Sequence, residues 1–158
     1  LSPDKVVFSE NWHVGIPQAY EIDFDGNPIL VINFHAIPPN PTPEYFRRAN
    51  DIRNSQVEEL LLLIRKQEIP VIALGDLNAT EKNEAYQLMR TQMLDAWREK
   101  GFGLGNTRIN LVDYLPPKWL VRIDYVFHSQ ELKTNTVETG HWDESSDHRP
   151  VVAELSLK

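Results

Sequence analysis

The chain has 158 residues, 41% of them hydrophobic and 25% charged, the profile of one globular domain and not of a disordered or fibrous segment. It contains no cysteine, which excludes thiolate catalysis, a Cys-based zinc site and a disulfide frame. Its net charge of -7 argues against a sequence-independent grip on duplex DNA, which depends on Lys and Arg displacing counterions.

No apolar run approaches the roughly 20 residues of a membrane-spanning helix; the longest are Leu60 to Ile64 and Val71 to Leu74, so the segment reads as soluble. The start, Leu1-Ser2-Pro3, lacks the charged-then-apolar layout of a signal peptide. The sequence is therefore read as a piece of a longer protein, with any anchor upstream.

Tyr20, Ile22 and Phe24 alternate with Glu21 and Asp23, Asp25-Gly26-Asn27 supplies turn chemistry, and Ile29 to Phe34 is almost continuously apolar. This predicts a β-hairpin whose second strand is buried on both faces. That strand ends at His35, just before Pro38-Pro39-Asn40-Pro41, and such strand ends are where sites collect in α/β sheets. Thr42-Pro43 starts a long amphipathic helix, with Val57, Leu60, Leu61 and Ile64 at helical spacing. Arg47, Arg48, Arg53 and Arg65 fall on it; such arginines ordinarily form a solvated face, and Arg53 alone is retained as a candidate substrate contact.

Pro70 to Leu74 predicts a short strand ending at Gly75-Asp76-Leu77-Asn78, followed by a helix over Glu81 to Met93. Gly101 to Leu120 is rich in glycine and proline and should be mostly loop, with Trp119 and Leu120 pinned to the core. Arg122 to Phe127 and Pro150 to Leu157 are patterned as strands. Neither a repeat nor a linker interrupts the chain, so residues 1–158 form one domain.

Four polar clusters thus punctuate strand-like runs: His35, Asp76 with Asn78, Asp124 in Arg122-Ile123-Asp124-Tyr125, and Asp147-His148 in Ser146-Asp147-His148-Arg149-Pro150. One such cluster is ordinarily a turn cap; four in this order and separation resemble the endonuclease/exonuclease/phosphatase (DNase I-like) superfamily over essentially the whole chain. The segment from His35 through Pro38-Pro39 to Arg53-Asn54-Ser55-Gln56 looks most like a bacterial subgroup built behind N-terminal membrane helices, which implies tethering through upstream sequence.

The resemblance implies an α/β fold, a DNase I-like sandwich of two mostly antiparallel sheets flanked by helices, here missing its N-terminal part. It implies hydrolysis of phosphate esters with Mg²⁺ or Mn²⁺. His148 would be the general base and Asp124 the carboxylate that orients its ring. Asp76 and Asn78 would position the attacking water and contact the phosphate, Asp76 and Asp147 would bind metal, and His35 and Asn78 would donate to phosphate oxygens. Such residue types suit the chemistry: a hard cation takes carboxylate oxygens and neutralises phosphoryl charge, and an imidazole accepts the proton of water.

The family's early strand-end Asn and its main metal-binding Glu have no counterpart here and are expected upstream of Leu1. The isolated chain is then expected to bind metal poorly, to be weak or inactive, and to self-associate through exposed apolar edges. Asn106-Thr107 matches a Thr-containing substrate loop, but the aromatic residue that commonly follows is here Arg108. A Ser-His-Asp triad is excluded, because Ser146, Asp147 and His148 are neighbours that cannot line up, and no G-x-S-x-G turn exists. The rival from another class is a non-catalytic module that binds a phosphorylated ligand. Nucleic acid, phospholipid and small phosphoester substrates all suit this machinery, with the acidic balance leaning away from duplex DNA.

Overall fold

The computed structural model describes residues 8–12, 15–39, 42–109 and 119–158. After a short 3₁₀ turn at Glu10–Trp12, strands β1 (Gln18–Phe24) and β2 (Asn27–His35) form an antiparallel hairpin. Its turn residues Asp25 and Gly26 have φ of 52° and 80°, the backbone that two-residue hairpins require, and the Asp23 carboxylate receives the Gly26 N–H at 2.9 Å. Helix α1 (Pro43–Ile64) then carries the chain back to β3 (Val71–Asp76), which runs parallel to β2. Parallel neighbours need such a crossover, and this one sets His35 beside Asp76 in register.

The chain continues through α2 (Glu84–Arg90), β4 (Leu94–Asp95), α3 (Ala96–Lys100), β5 (Arg108–Ile109), β6 (Trp119–Val121), β7 (Asp124–His128), β8 (Leu132–Thr139) and β9 (Val151–Leu157). One sheet has the order β1-β2-β3-β7-β4, and β5-β6 and β8-β9 form separate antiparallel pairs. Every strand pair except β2-β3 is antiparallel among the described residues. This is the mixed α/β, sheet-and-helix architecture expected from the sequence.

Helical spacing on α1 turns Val57, Leu60, Leu61 and Ile64 onto Leu30, Ile32, Phe34, Val71 and Ala73, with Ala85 and Met89 of α2 closing the layer. Burying each large apolar side chain contributes about 1.5–3 kcal/mol, so this interface holds the sheet against α1. Tyr125 and Phe127 stack with ring centroids 5.2 Å apart, and Tyr86 packs tilted against Tyr125 at 5.1 Å. On the other face, Ile29, Ile72, Leu74 and Val126 meet β8 and β9 across an apolar cleft of about 450 Å³. Ile22 and Phe24 line it while staying partly exposed, and Tyr20 on the same strand is exposed. No helix among the described residues is long and apolar enough to cross a membrane.

Several expectations are corrected. Burial of β2 on both faces holds at Ile29 and Leu30, but Asn33 is exposed, because β8 and β9 cover only part of the second face. The helix predicted over Glu81 to Met93 shortens to Glu84–Arg90, since the Asn83 side chain accepts both the N–H and the hydroxyl of Thr80 and forms a turn instead. The strand predicted from Arg122 starts at Asp124, as Arg122 turns into a buried ionic network. Leu120 is half exposed and lines a cleft instead of packing in the core. Residues 110–118, with Pro116-Pro117, and the side chain of Trp119 lie outside the described residues, as do Asn40-Pro41 and Leu1-Ser2-Pro3. Strand β8 was not legible, because only pairing with β9 gives its polar sequence a buried face at Leu132, Thr134 and Val137.

Candidate active site

At the end of β3 two backbone features bring the polar residues together. Gly75 has φ of 143°, and a Cβ there would run into the Phe34 carbonyl, so a side chain would push β3 away from β2. Asn78 adopts the left-handed conformation at φ 51°, which Asn tolerates better than most residues. Its N–H donates to Asp76 Oδ1 at 2.7 Å and its side-chain amide to the Ala36 carbonyl at 2.9 Å. Asp76 is thereby held between the ends of β2 and β7.

Asp124 lies directly opposite Asp76 in the β3-β7 register. The buried Thr107 hydroxyl fixes it from behind, accepting the N–H of Ile123 at 3.2 Å and of Asp124 at 3.3 Å. Asp124 Oδ2 is 2.8 Å from His148 Nδ1. His148 rides on β5 through a backbone bridge to Arg108, flanked by bonds from Ile109 N–H to the Asp147 carbonyl and from Arg149 N–H to the Thr107 carbonyl, both 2.9 Å. Arg149 Nε adds a bond to the Asn106 carbonyl at 2.7 Å.

On its other nitrogen, His148 Nε2 lies 3.1 Å from Arg108 Nη1. A guanidinium has only donors, so Nε2 must accept, which places the ring proton on Nδ1, where it donates to Asp124. The geometry therefore selects one tautomer of a neutral imidazole. His35 Nε2 is 3.6 Å from Asp76 Oδ2 with its side chain 55% exposed, too long for a hydrogen bond, and it stands open at the mouth of the site.

One ligand atom each from Asp76, Asp124 and His148 falls within 4.8 Å of the others. Asp147 is not in that group; its Oδ2 pairs with Arg108 Nη2 at 2.8 Å. Burial, followed by the facing Asp124 carboxylate, pushes the Asp76 carboxyl up to about 6, against the opposing pull of the Asn78 N–H, His148 and His35. Two acids forced together in this way are poised to share a cation or a proton.

A model of the Endonuclease/Exonuclease/phosphatase family matches residues 2–148, a span that ends on the histidine just described. This chain belongs to that family. Its fold is similar to that of a functionally unknown conserved protein from Enterococcus faecalis, with TM-score 0.70 and 21% identity over 90% of this chain and 55% of that one. It is similar too to a Bacteroides thetaiotaomicron mannosyl-6-phosphatase, with TM-score 0.65 and 20% identity over 89% and 56%. The Xenopus laevis APE2 catalytic domain aligns with TM-score 0.62 and 20% identity over 89% and 55%. At these identities the likeness is one of fold, and the chain spans about half the length of each. No curated protein matches the sequence.

Within this family member, Arg53 is not on a solvated helix face. It is 2% exposed, its Nε and Nη2 donate to the Ile37 carbonyl at 3.1 and 2.9 Å, and Nη1 donates to Asn50 Oδ1 at 2.8 Å. Burial pulls its pKa below the ordinary arginine value, with Asp76 opposing. One helical turn on, buried Gln56 receives the Ile37 N–H at 2.9 Å and donates to the Asn11 carbonyl at 2.8 Å. Both residues hold the start of the proline loop. Arg47, Arg48 and Arg65 are exposed as expected.

Arg122, beside Asp124, forks onto Asp95 at 3.1 and 2.8 Å, also pairs with Glu81, and lies 4.6 Å from the Tyr125 ring centroid. Burial works against its charge, but Asp95 and Glu81 outweigh that and hold its pKa above the ordinary arginine value. Through Glu81 it ties the loop after Asn78 to the strands beneath. Thr107, Gln56 and Arg122 lie inside the motifs singled out in the sequence, but their role as supports was missed, because it depends on partners distant in the chain. Arg108 was noticed only as a departure from the family's usual aromatic residue.

Proposed function

We propose that this chain carries part of the active site of a divalent-metal-dependent phosphoesterase, in which His148 is the general base and Asp124 its orienting partner. The observation that carries the reading is the Asp124-His148 pair at 2.8 Å set against Asp76 in one cluster. With its proton on Nδ1, His148 offers the Nε2 lone pair to an attacking water, and Asp124 stabilises the imidazolium that results. Asn78 and the half-exposed His35 are the donors proposed to contact phosphoryl oxygens.

The donors fit a hard cation in kind. Asp124 is engaged by His148, so Asp76 is the principal carboxylate available, and Mg²⁺ or Mn²⁺ characteristically takes one or two carboxylates while keeping waters. Bound there, the metal supplies charge neutralisation at the phosphoryl group. Asp147 would have to leave Arg108 to contribute. With Asp76 as its main donor, the isolated chain is expected to hold Mg²⁺ weakly.

Metal-dependent hydrolysis of p-nitrophenyl phosphate and bis(p-nitrophenyl) phosphate by the full-length protein tests the reading. His148→Ala should lower turnover by roughly 10²–10⁴-fold, and unchanged metal-dependent turnover in that variant would sink it. A second reading, a non-catalytic module that binds a phosphorylated ligand, draws on the Arg108 contact that caps His148 Nε2. Phosphate binding without turnover by the metal-loaded wild type would select it.

A further inference from the structure

We infer that Arg108 is a phosphate-binding, specificity-determining residue that makes this site prefer phosphomonoesters, whose terminal group is dianionic, over phosphodiesters. The inference rests on the phosphoester reading above and deepens it.

Arg108 leaves β5 directly after the buried Thr107, so its backbone is rigidly placed. Its guanidinium, 31% exposed, bridges His148 Nε2 at 3.1 Å and Asp147 Oδ2 at 2.8 Å. Two of its five N–H groups are thus engaged, both on atoms at the reacting end of the site. The contact with Nε2 cannot persist while that nitrogen accepts a proton from water. A productive ligand must therefore draw the guanidinium off His148, and an oxyanion is the group that does so. The planar fork matches two unesterified phosphoryl oxygens, which monoesters and diesters both offer, so the preference comes from charge: the attraction is stronger for the dianionic group.

The surroundings are asymmetric in a way that favours one ester arm. Arg108 and Asn78 line a cleft of about 500 Å³ whose described lining includes Pro38, Pro39, Ile109 and Leu120. Its described lining contains no carboxylate, and its other cation, Arg53, has three of its five N–H groups engaged by Ile37 and Asn50. Asp124 and His148 line a second cleft, of about 490 Å³, which contains Asp143 together with His141 and Arg149. The Ser145 hydroxyl and N–H hold the Asp143 carboxyl below its ordinary range, so it stays ionised. A compact neutral leaving group suits the first cleft, where Pro38, Pro39, Ile109 and Leu120 flank Arg108, while the second cleft holds charges of both signs.

Equilibrium binding of inorganic phosphate and dimethyl phosphate to the full-length protein, in wild-type, Arg108→Lys and Arg108→Gln forms, is the test. Wild type should bind phosphate the more tightly. Arg108→Gln should weaken phosphate by roughly 10- to 100-fold, the loss expected for charge-assisted bonds, and should weaken dimethyl phosphate by a clearly smaller factor, because it brings half the charge to the same guanidinium. Arg108→Lys should fall between, keeping the charge and losing the fork, with an unchanged melting temperature in both variants showing that folding is intact. Equal losses for the two ligands, or unaltered phosphate affinity in Arg108→Gln, would overturn the assignment. Because binding needs no turnover, the functional reading can fail through His148→Ala while this result still decides the role of Arg108.

Discussion

Replacing Asp76 by Asn should make the metal-free chain more stable. The carboxyl is only 14% exposed, faces Asp124 across the β3-β7 pair, and stands at about 6 against an ordinary 3.8. In the unfolded chain it ionises at the ordinary value, whereas in the folded chain it keeps its proton to about 6. Between those values the folded state binds more protons, so stability falls as pH rises, and the full cost stands at neutral pH. At about 1.36 kcal/mol per pH unit the cost comes to about 3 kcal/mol. Asn keeps the oxygen that receives the Asn78 N–H, so the substitution removes charge and little else. Thermal unfolding in EDTA at neutral pH should show Asp76→Asn melting about 6–12 °C higher, on the scale of about 2–4 °C per kcal/mol for a chain of this size. The gap should close below the ordinary carboxylate range. Mg²⁺ at a concentration high enough to fill this chain's weak site should raise the wild-type melting temperature and leave the variant unmoved, since only a ligand bound to the native state shifts the equilibrium. A variant no more stable than wild type at neutral pH in EDTA would refute the buried-charge account.

Two supports of the site should respond in stability. Thr107→Val preserves shape but strands the N–H groups of Ile123 and Asp124, and urea denaturation should show a loss of about 1–3 kcal/mol; an unchanged midpoint would mean that the hydroxyl holds neither. Arg122→Met leaves Asp95 a buried carboxylate without its cation, and should cost about 3–5 kcal/mol by the same measurement. A loss confined to a few tenths would show that Glu81, Asp95 and Arg122 do not act as a buried network.

Local pattern alone was enough to show the β1-β2 hairpin, the long α1, the short β3 and the final β9, because their period and turn chemistry are properties of neighbouring residues. The same holds for His35 and Asp76 at strand ends, and the ordered motifs that carry them with Asp124 and His148 pointed to the family; that Asp124 opens β7 and that His148 precedes β9 on a bridge to Arg108 came from the structure. Strand β8 was hidden, since Leu132, Thr134 and Val137 acquire a buried face only when β9 pairs with them across a bulge. The character of Arg53 was hidden too, because whether a helical arginine meets water or a backbone carbonyl depends on where the proline loop folds.

What the amino-acid order determined by itself was therefore the set of chemical groups and the elements that bear them. The tertiary structure alone decided their distances. It alone made Asp76 face Asp124, fixed the proton of His148 by setting Asp124 on one nitrogen and Arg108 on the other, and kept Asp147 on Arg108. The physical reason is that electrostatic and hydrogen-bond energies depend on separations of a few ångströms between residues far apart in the chain, which strand register and the α1 crossover set and no local pattern encodes.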